Sequence, residues 1–172
     1  MRPLTAPLAL ALALAASPAR ADERQLQLAG RAGFSAASGS HGTAGLAADA
    51  TLTYGLNDAF SLYANGSYTL GFHPLERRNP RHGAGLAVGV VYAFDHLRVV
   101  PYLGVGARAD VFLAPDAIWW TPSAEGRLGV SWLLRREIAL DLQAAYAFPF
   151  LDRDRIGDLF TVTAGAVWRF DS

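Results

Sequence analysis

From about residue 25 onward, apolar and polar side chains alternate with a period of two, not 3.6, the pattern of strands with one apolar and one polar face. Eight such segments can be read: Gln25–Ser35, Gly45–Tyr54, Phe60–Leu70, Ala84–Phe94, Val99–Phe112, Ala124–Trp132, Ile138–Phe148 and Phe160–Phe170. In the third, Phe60, Leu62, Ala64, Tyr68 and Leu70 alternate with Ser61, Tyr63, Asn65, Ser67 and Thr69. In the last, Phe160, Val162, Ala164, Ala166, Trp168 and Phe170 alternate with Thr161, Thr163 and Arg169. Each segment has about the 9–14 residues of a tilted strand that crosses a membrane. Between them, long connections over 36–44, 71–83, 113–123 and 149–159 alternate with short turns at Gly55-Leu56-Asn57-Asp58, Asp95-His96 and Leu134-Arg135-Arg136. An up-and-down barrel with one end outside the cell and one in the periplasm gives this long–short rhythm.

The first residues follow a different rule. Met1-Arg2 precedes an apolar run from Leu8 to Ala16, too short for a spanning helix, and Ala19-Arg20-Ala21 offers a small-x-small cleavage site. Residues 1–21 are expected to be a secretory signal peptide, and 22–172 a single barrel domain. No later stretch reaches the roughly 18 apolar residues of a transmembrane helix.

Alternation alone also fits a soluble barrel with an apolar interior. Three features reverse that assignment. Aromatic residues of the apolar face gather at strand ends: Tyr54, Phe60, Tyr92, Phe94, Trp132, Trp168 and Phe170 at the short-turn end, Phe34, Tyr68, Tyr146, Phe148 and Phe160 at the other. Two aromatic girdles with aliphatic residues between them are expected where rings meet lipid headgroups. The polar face carries Gly, Ala, Ser and Thr with balanced charge, namely Arg31, Asp49, Arg108, Asp110, Glu125, Arg127, Asp141 and Arg169. Balance suits an enclosed space, where an unpaired charge is costly. Finally, Thr163, Gly165, Trp168 and Phe170 resemble the C-terminal assembly signal of outer-membrane barrels: polar, x, Gly, x, x, aromatic or apolar, x, aromatic. The whole region after residue 21 resembles small eight-stranded outer-membrane proteins, the class of the OmpA transmembrane domain, OmpX-like and OmpW-like barrels. That resemblance implies an all-β, antiparallel, up-and-down transmembrane barrel in the outer membrane of a Gram-negative bacterium, with both termini periplasmic, inserted by the barrel-assembly machinery.

Composition narrows the function. All 15 basic residues are Arg, against 15 acids, and there is no Cys. The balance argues against a nucleic-acid binder, and the lack of Cys removes thiol chemistry. Eight strands leave an interior just wide enough for side chains, so a plugged lumen is expected. Arg31 should face Asp49 across the first hairpin. Arg108 and Asp110 should meet Glu125 and Arg127 in a four-charge cluster, with Asp141 and Arg169 lower. The second long connection, with Arg77, Arg78 and Arg81, reads either as a solvated polar loop or as a grip on lipopolysaccharide phosphates. Trp119-Trp120 reads as an exposed aromatic pair. Asp152-Arg153-Asp154-Arg155-Ile156-Gly157-Asp158 has an incomplete calcium-loop pattern, with Ile156 where a ligand belongs. Ser40-His41 is the nearest approach to a nucleophile and base, but no His-x-Ser pair of the lipid A deacylase type occurs in a strand. The expectation is a non-enzymatic, monomeric barrel without cofactor or metal, in a structural or surface-interaction role. Two alternatives stand beside it: an OmpW-like conduit for small apolar solutes, with Gly85, Gly89, Gly104 and Gly106 leaving luminal space, and a lipid A-modifying enzyme.

Overall fold

A computed structural model of the chain describes residues 25–38, 43–73, 76–94, 98–114, 117–151, 154 and 157–170. The leader expected over 1–21 lies outside the described residues. The strands are β1 (Leu26–Ala37), β2 (Ala44–Gly55), β3 (Phe60–His73), β4 (Glu76–Ala93), β5 (Val99–Ala114), β6 (Ala117–Leu133), β7 (Ile138–Pro149) and β8 (Leu159–Phe170). Each pairs antiparallel with its sequence neighbours, and β8 closes on β1 to make the eight-stranded barrel the alternation implies. Closure leaves no sheet edge, so backbone polar groups are satisfied within the ring.

Register fixes the shape of the tube. A path from Gln27 through its partners Thr53, Tyr63, Gly89, Gly106, Glu125, Ala147 and Leu159 returns to β1 at Ala37, ten residues beyond its start. With ordinary strand rise and spacing, that offset gives a tilt of about 40° and a radius of about 8 Å. The tube is therefore too narrow to stay open unless its inward side chains are small.

The faces are inverted relative to a soluble barrel. Leu86, Val105 and Leu128 point outward and are 72%, 65% and 65% exposed, whereas Arg31, Arg108, Asp110, Glu125, Arg127 and Asp141 are buried inside. Trp168 and Phe160 lie on the outward face of β8 eight residues apart, which puts the two aromatic girdles about 20 Å apart along the barrel axis. In the lower girdle Phe60, Tyr92 and Phe94 stack edge to face, with centroids 5.1 and 4.7 Å apart. The wall between the girdles is not uniformly aliphatic, however. On β8, β1, β2 and β3 it is a waist of Ala164, Ala166, Gly30, Ala32, Ala48, Ala50, Gly66 and Ala64.

The connections also depart from the sequence reading. Most of 71–83 and 113–123 is strand: β3 runs to His73, β4 starts at Glu76, β5 reaches Ala114 and β6 starts at Ala117. Gly, Pro and charge in these segments read as loop signals. Pro122 is nevertheless paired with Ala109, and Pro80 with Phe72, so both hairpins continue past the girdle. Trp119 and Trp120 consequently fall on opposite faces of β6, because neighbouring strand residues point to opposite sides. Trp120 is exposed outward and Trp119 is half-buried on the inward side, so they do not form one exposed pair. The short turns are locally set. Asn57 Oδ1 accepts hydrogen bonds from the amides of Ala59 and Phe60 at 3.0 and 2.8 Å, closing the turn between β2 and β3.

An outward apolar wall in hydrocarbon resists charge by depth. Leu128→Arg, midway between the girdles, should lower the unfolding free energy in lipid vesicles by about 2–4 kcal/mol, and Leu56→Arg in the turn by about 0–1 kcal/mol. Equal costs at the two sites would contradict the transmembrane placement.

Candidate functional site

The inward face gathers its charges at mid-depth. Arg31 is the register partner of Asp49 and pairs with it at 2.8 Å. The same guanidinium reaches Asp141 of β7, also at 2.8 Å. Asp49 further accepts hydrogen bonds from Asn65 Nδ2 at 3.1 Å and Thr163 Oγ1 at 3.0 Å. Asp141 accepts from Ser131 Oγ at 2.5 Å and the Tyr102 hydroxyl at 3.0 Å. Arg31 also donates to Thr51 Oγ1.

A second group sits beside the first. Arg108 binds Asp110 at 2.7 Å and Glu125 at 2.9 Å, and donates to Ser67 Oγ at 2.7 Å. Glu125 is the hub. It also pairs with Arg127 and accepts a hydrogen bond from the Tyr63 hydroxyl at 3.2 Å. The Arg127 guanidinium lies 3.6 Å from the Tyr63 ring centroid, a cation–π contact. Burial makes these bonds strong only as a set, since one partner removed strands another charge away from water.

Glycine decides which side chains can meet. Tyr63 crosses Gly89 and Gly106, which lie in the same register row, to reach Glu125. A Cβ on Gly89 would come within 2.7 Å of the Tyr63 ring. Gly85 lies between Ser67 and Asp110, beneath the Arg108 side chain. Gly129 lies between Tyr102 and Gln143, beneath the Tyr102 ring. Gly165 is partner to both Arg31 and Asp141, and a Cβ there would meet the Arg31 side chain at 2.8 Å. Each long side chain spans the lumen over a strand that presents no side chain of its own. Gly85, Gly89, Gly104 and Gly106 are thus covered on the luminal side by Arg108, Tyr63 and Arg127, while Gly85 also borders a mostly apolar hollow of about 680 Å³ at the waist, with Ala48, Ala50, Gly66 and Leu86.

Two positions go beyond the sequence reading. Asp141 does sit lower than the four-charge cluster, paired with Ser131 four residues nearer the short-turn end than Arg127, but it is also bonded to Arg31, a contact that the ten-residue offset creates and the sequence reading lacked. Arg169 forms no ion pair with the described residues, and its buried Nε lacks a hydrogen-bond partner among them. Tyr63, Tyr102, Asn65, Ser67 and Ser131 were not singled out from sequence; inward phase combined with a polar tip was their signal. A small cavity of about 70 Å³ with a mixed lining lies toward the short-turn end, bordered by Gln27, Tyr102 and Arg169 and by Val91, Val100 and Val167 among others.

In the assembly-signal pattern, Thr163 and Gly165 face the lumen network while Trp168 and Phe170 face outward. Arg77, Arg78 and Arg81 belong to β4, and their side chains lie outside the described residues. Ser40, His41, His96, Asp152, Arg153, Arg155 and Ile156 also lie outside them. Among the described residues no group of three His, Cys, Asp or Glu could hold a metal. His82 Nδ1 is hydrogen-bonded to the Tyr68 hydroxyl.

No known protein family matches the sequence, and no curated protein matches it. Solved structures share its fold. Neisserial surface protein A (NspA) superposes with a TM-score of 0.71 at 16% identity, covering 84% of this chain and 97% of that one. The outer membrane protein OprG from Pseudomonas aeruginosa gives 0.63 at 11% identity, covering 88% and 98%. Ail, the attachment invasion locus protein of Yersinia pestis, gives 0.59 at 14% identity, covering 86% and 99%. The resemblance to small eight-stranded outer-membrane barrels therefore holds in three dimensions.

Glu125→Gln removes the charge shared by two arginines and should cost about 3–5 kcal/mol of unfolding free energy in vesicles. Replacing Arg108, Glu125 and Arg127 together with apolar residues of similar volume should cost far less. A Glu125→Gln cost no larger than that of an exposed acid such as Glu137→Gln would contradict a paired, water-poor lumen.

Proposed function

We propose that this protein is a non-enzymatic outer-membrane barrel of a Gram-negative bacterium that works at the cell surface and not as a channel. The observation that carries the reading is the lumen: three arginines and four carboxylates are interlocked at mid-depth, with Tyr63 and Tyr102 bonded across the bore. Residues 1–21 are then the cleaved export signal and 22–172 the barrel. Both termini sit in the periplasm with the short turns, and the chain acts as a monomer. Thr163, Gly165, Trp168 and Phe170 form the signal read by the barrel-assembly machinery.

With the bore closed, the surface contacts fall to the hairpins. Arg77, Arg78 and Arg81 at the start of β4 are the contact to lipopolysaccharide, since guanidinium groups bind phosphate with paired hydrogen bonds. A barrel of the same fold, Ail, has been solved in complex with the heparin analogue sucrose octasulfate, so an anionic sugar ligand is compatible with this architecture. The covered glycines and the charge network across the bore weigh against a conduit for apolar solutes.

Two measurements test this reading. The purified, folded barrel should be silent in a planar bilayer, and discrete repeatable openings would overturn the closed lumen. Replacing Arg77, Arg78 and Arg81 with Gln should weaken lipopolysaccharide binding about tenfold or more at unchanged stability. Unchanged binding would remove these residues from the contact.

A further inference from the structure

The apolar outward face is taller on one side of the barrel than on the other. On β8 it runs from Phe170 to Phe160, about 25 Å along the axis, which matches the usual apolar band. Just above it the surface turns polar: Tyr146 donates to Asp158 Oδ2 at 2.5 Å, and Asp158 bonds Ser38 through backbone and side chain.

On β5 and β6 the same face does not stop. Its outward residues run Val99, Pro101, Leu103, Val105, Ala107, Ala109, Val111 and Leu113, then return through Ile118, Trp120, Pro122, Ala124, Gly126, Leu128, Val130 and Trp132. No polar side chain interrupts either row. With the barrel offset taken into account, Trp120 stands about 10 Å and Ile118 about 15 Å above the upper girdle of Phe34, Tyr68 and Phe160. Ile118 is 72% and Trp120 63% exposed. Phe150, whose amide donates to Pro122 O at 2.9 Å, adds another exposed ring beside β6.

We infer that this crest, Leu113, Ile118, Trp120 and Phe150, is immersed in the outer leaflet, so that the barrel sits obliquely with its β5–β6 side lowered into the lipid. Continuity selects the occupant: the crest prolongs the wall already assigned to hydrocarbon, on the same strands and in the same phase. Neither row carries a polar side chain of its own, and the polar neighbour on the β4 side, His82 beside Leu113, is bonded to the girdle residue Tyr68. Oblique insertion is the ordinary response of a spanning element whose apolar length exceeds the bilayer on one side. It also lowers one lip of the barrel toward the headgroups. The inference rests on the transmembrane reading, and the test separates the two.

Single-tryptophan variants in phosphatidylcholine vesicles brominated on the acyl chains supply that test. One keeps Trp120 (Trp119→Phe, Trp132→Phe, Trp168→Phe) and the other keeps Trp168 of the lower girdle. Quenching of Trp120 within about twofold of Trp168 is the expected result. Quenching of Trp168 with Trp120 untouched would overturn the inference and leave the transmembrane barrel standing, its crest facing water or a protein. Quenching of neither would sink both. If a variant does not fold, Ile118→Cys in the otherwise Cys-free chain carries a nitroxide label. Greater relaxation by oxygen than by a water-soluble nickel chelate supports immersion, and the reverse order refutes it.

Discussion

A tube that turns its apolar residues outward must keep its polar ones where water is scarce, and the pairing of those buried charges is the condition on which the rest depends. An isolated carboxylate or guanidinium in such a bore would carry a desolvation cost that no single contact offsets. The solution in this chain is reciprocal. Arg31 serves two aspartates, Glu125 serves two arginines, and hydroxyls of Tyr63, Tyr102, Ser131 and Thr163 take up remaining acceptor capacity. The network joins β1 to β7, and β3 to β6, across the lumen, so it ties strands that the backbone ladder does not pair directly.

The glycines make that possible. A barrel of about 8 Å radius has no spare width for two layers of long side chains. Gly85, Gly89, Gly106, Gly129 and Gly165 each stand under a side chain that reaches a partner on another strand. Gly165 has two duties of this kind. It fills the defined glycine position of the C-terminal pattern and leaves the gap through which Arg31 reaches Asp141. If that pattern is the proposed assembly signal, assembly and lumen closure constrain the same residue from two directions.

The period of two was enough to read the strand number and the antiparallel order, because each is a local property of alternation and strand length; the inversion of the faces needed the aromatic girdles, the balanced charge of the polar face and the C-terminal pattern as well. Arg31 opposite Asp49 was legible for the same reason: a hairpin places its own partners. The lower position of Asp141 was legible, but its contact with Arg31 was not, because that contact depends on the ten-residue offset accumulated around the ring, which no single hairpin reveals. The hairpins at 71–83 and 113–123 were hidden by Pro80, Pro122 and the charges. Beyond the membrane a strand tolerates such residues, so turn chemistry there does not mark where a strand ends. The Ala and Gly waist on β8 through β3 was visible residue by residue but became a feature only when register lined the strands up.

The coupling between Arg31 and Asp141 tests the account most directly, since these residues are far apart in sequence and meet only if the barrel closes with this register. The measurement is a double-mutant cycle, Arg31→Met with Asp141→Asn, read by reversible denaturant unfolding in vesicles. An interaction energy of about 1 kcal/mol or more is the predicted result. Additive effects, with coupling indistinguishable from zero, would contradict a lumen closed by paired charge.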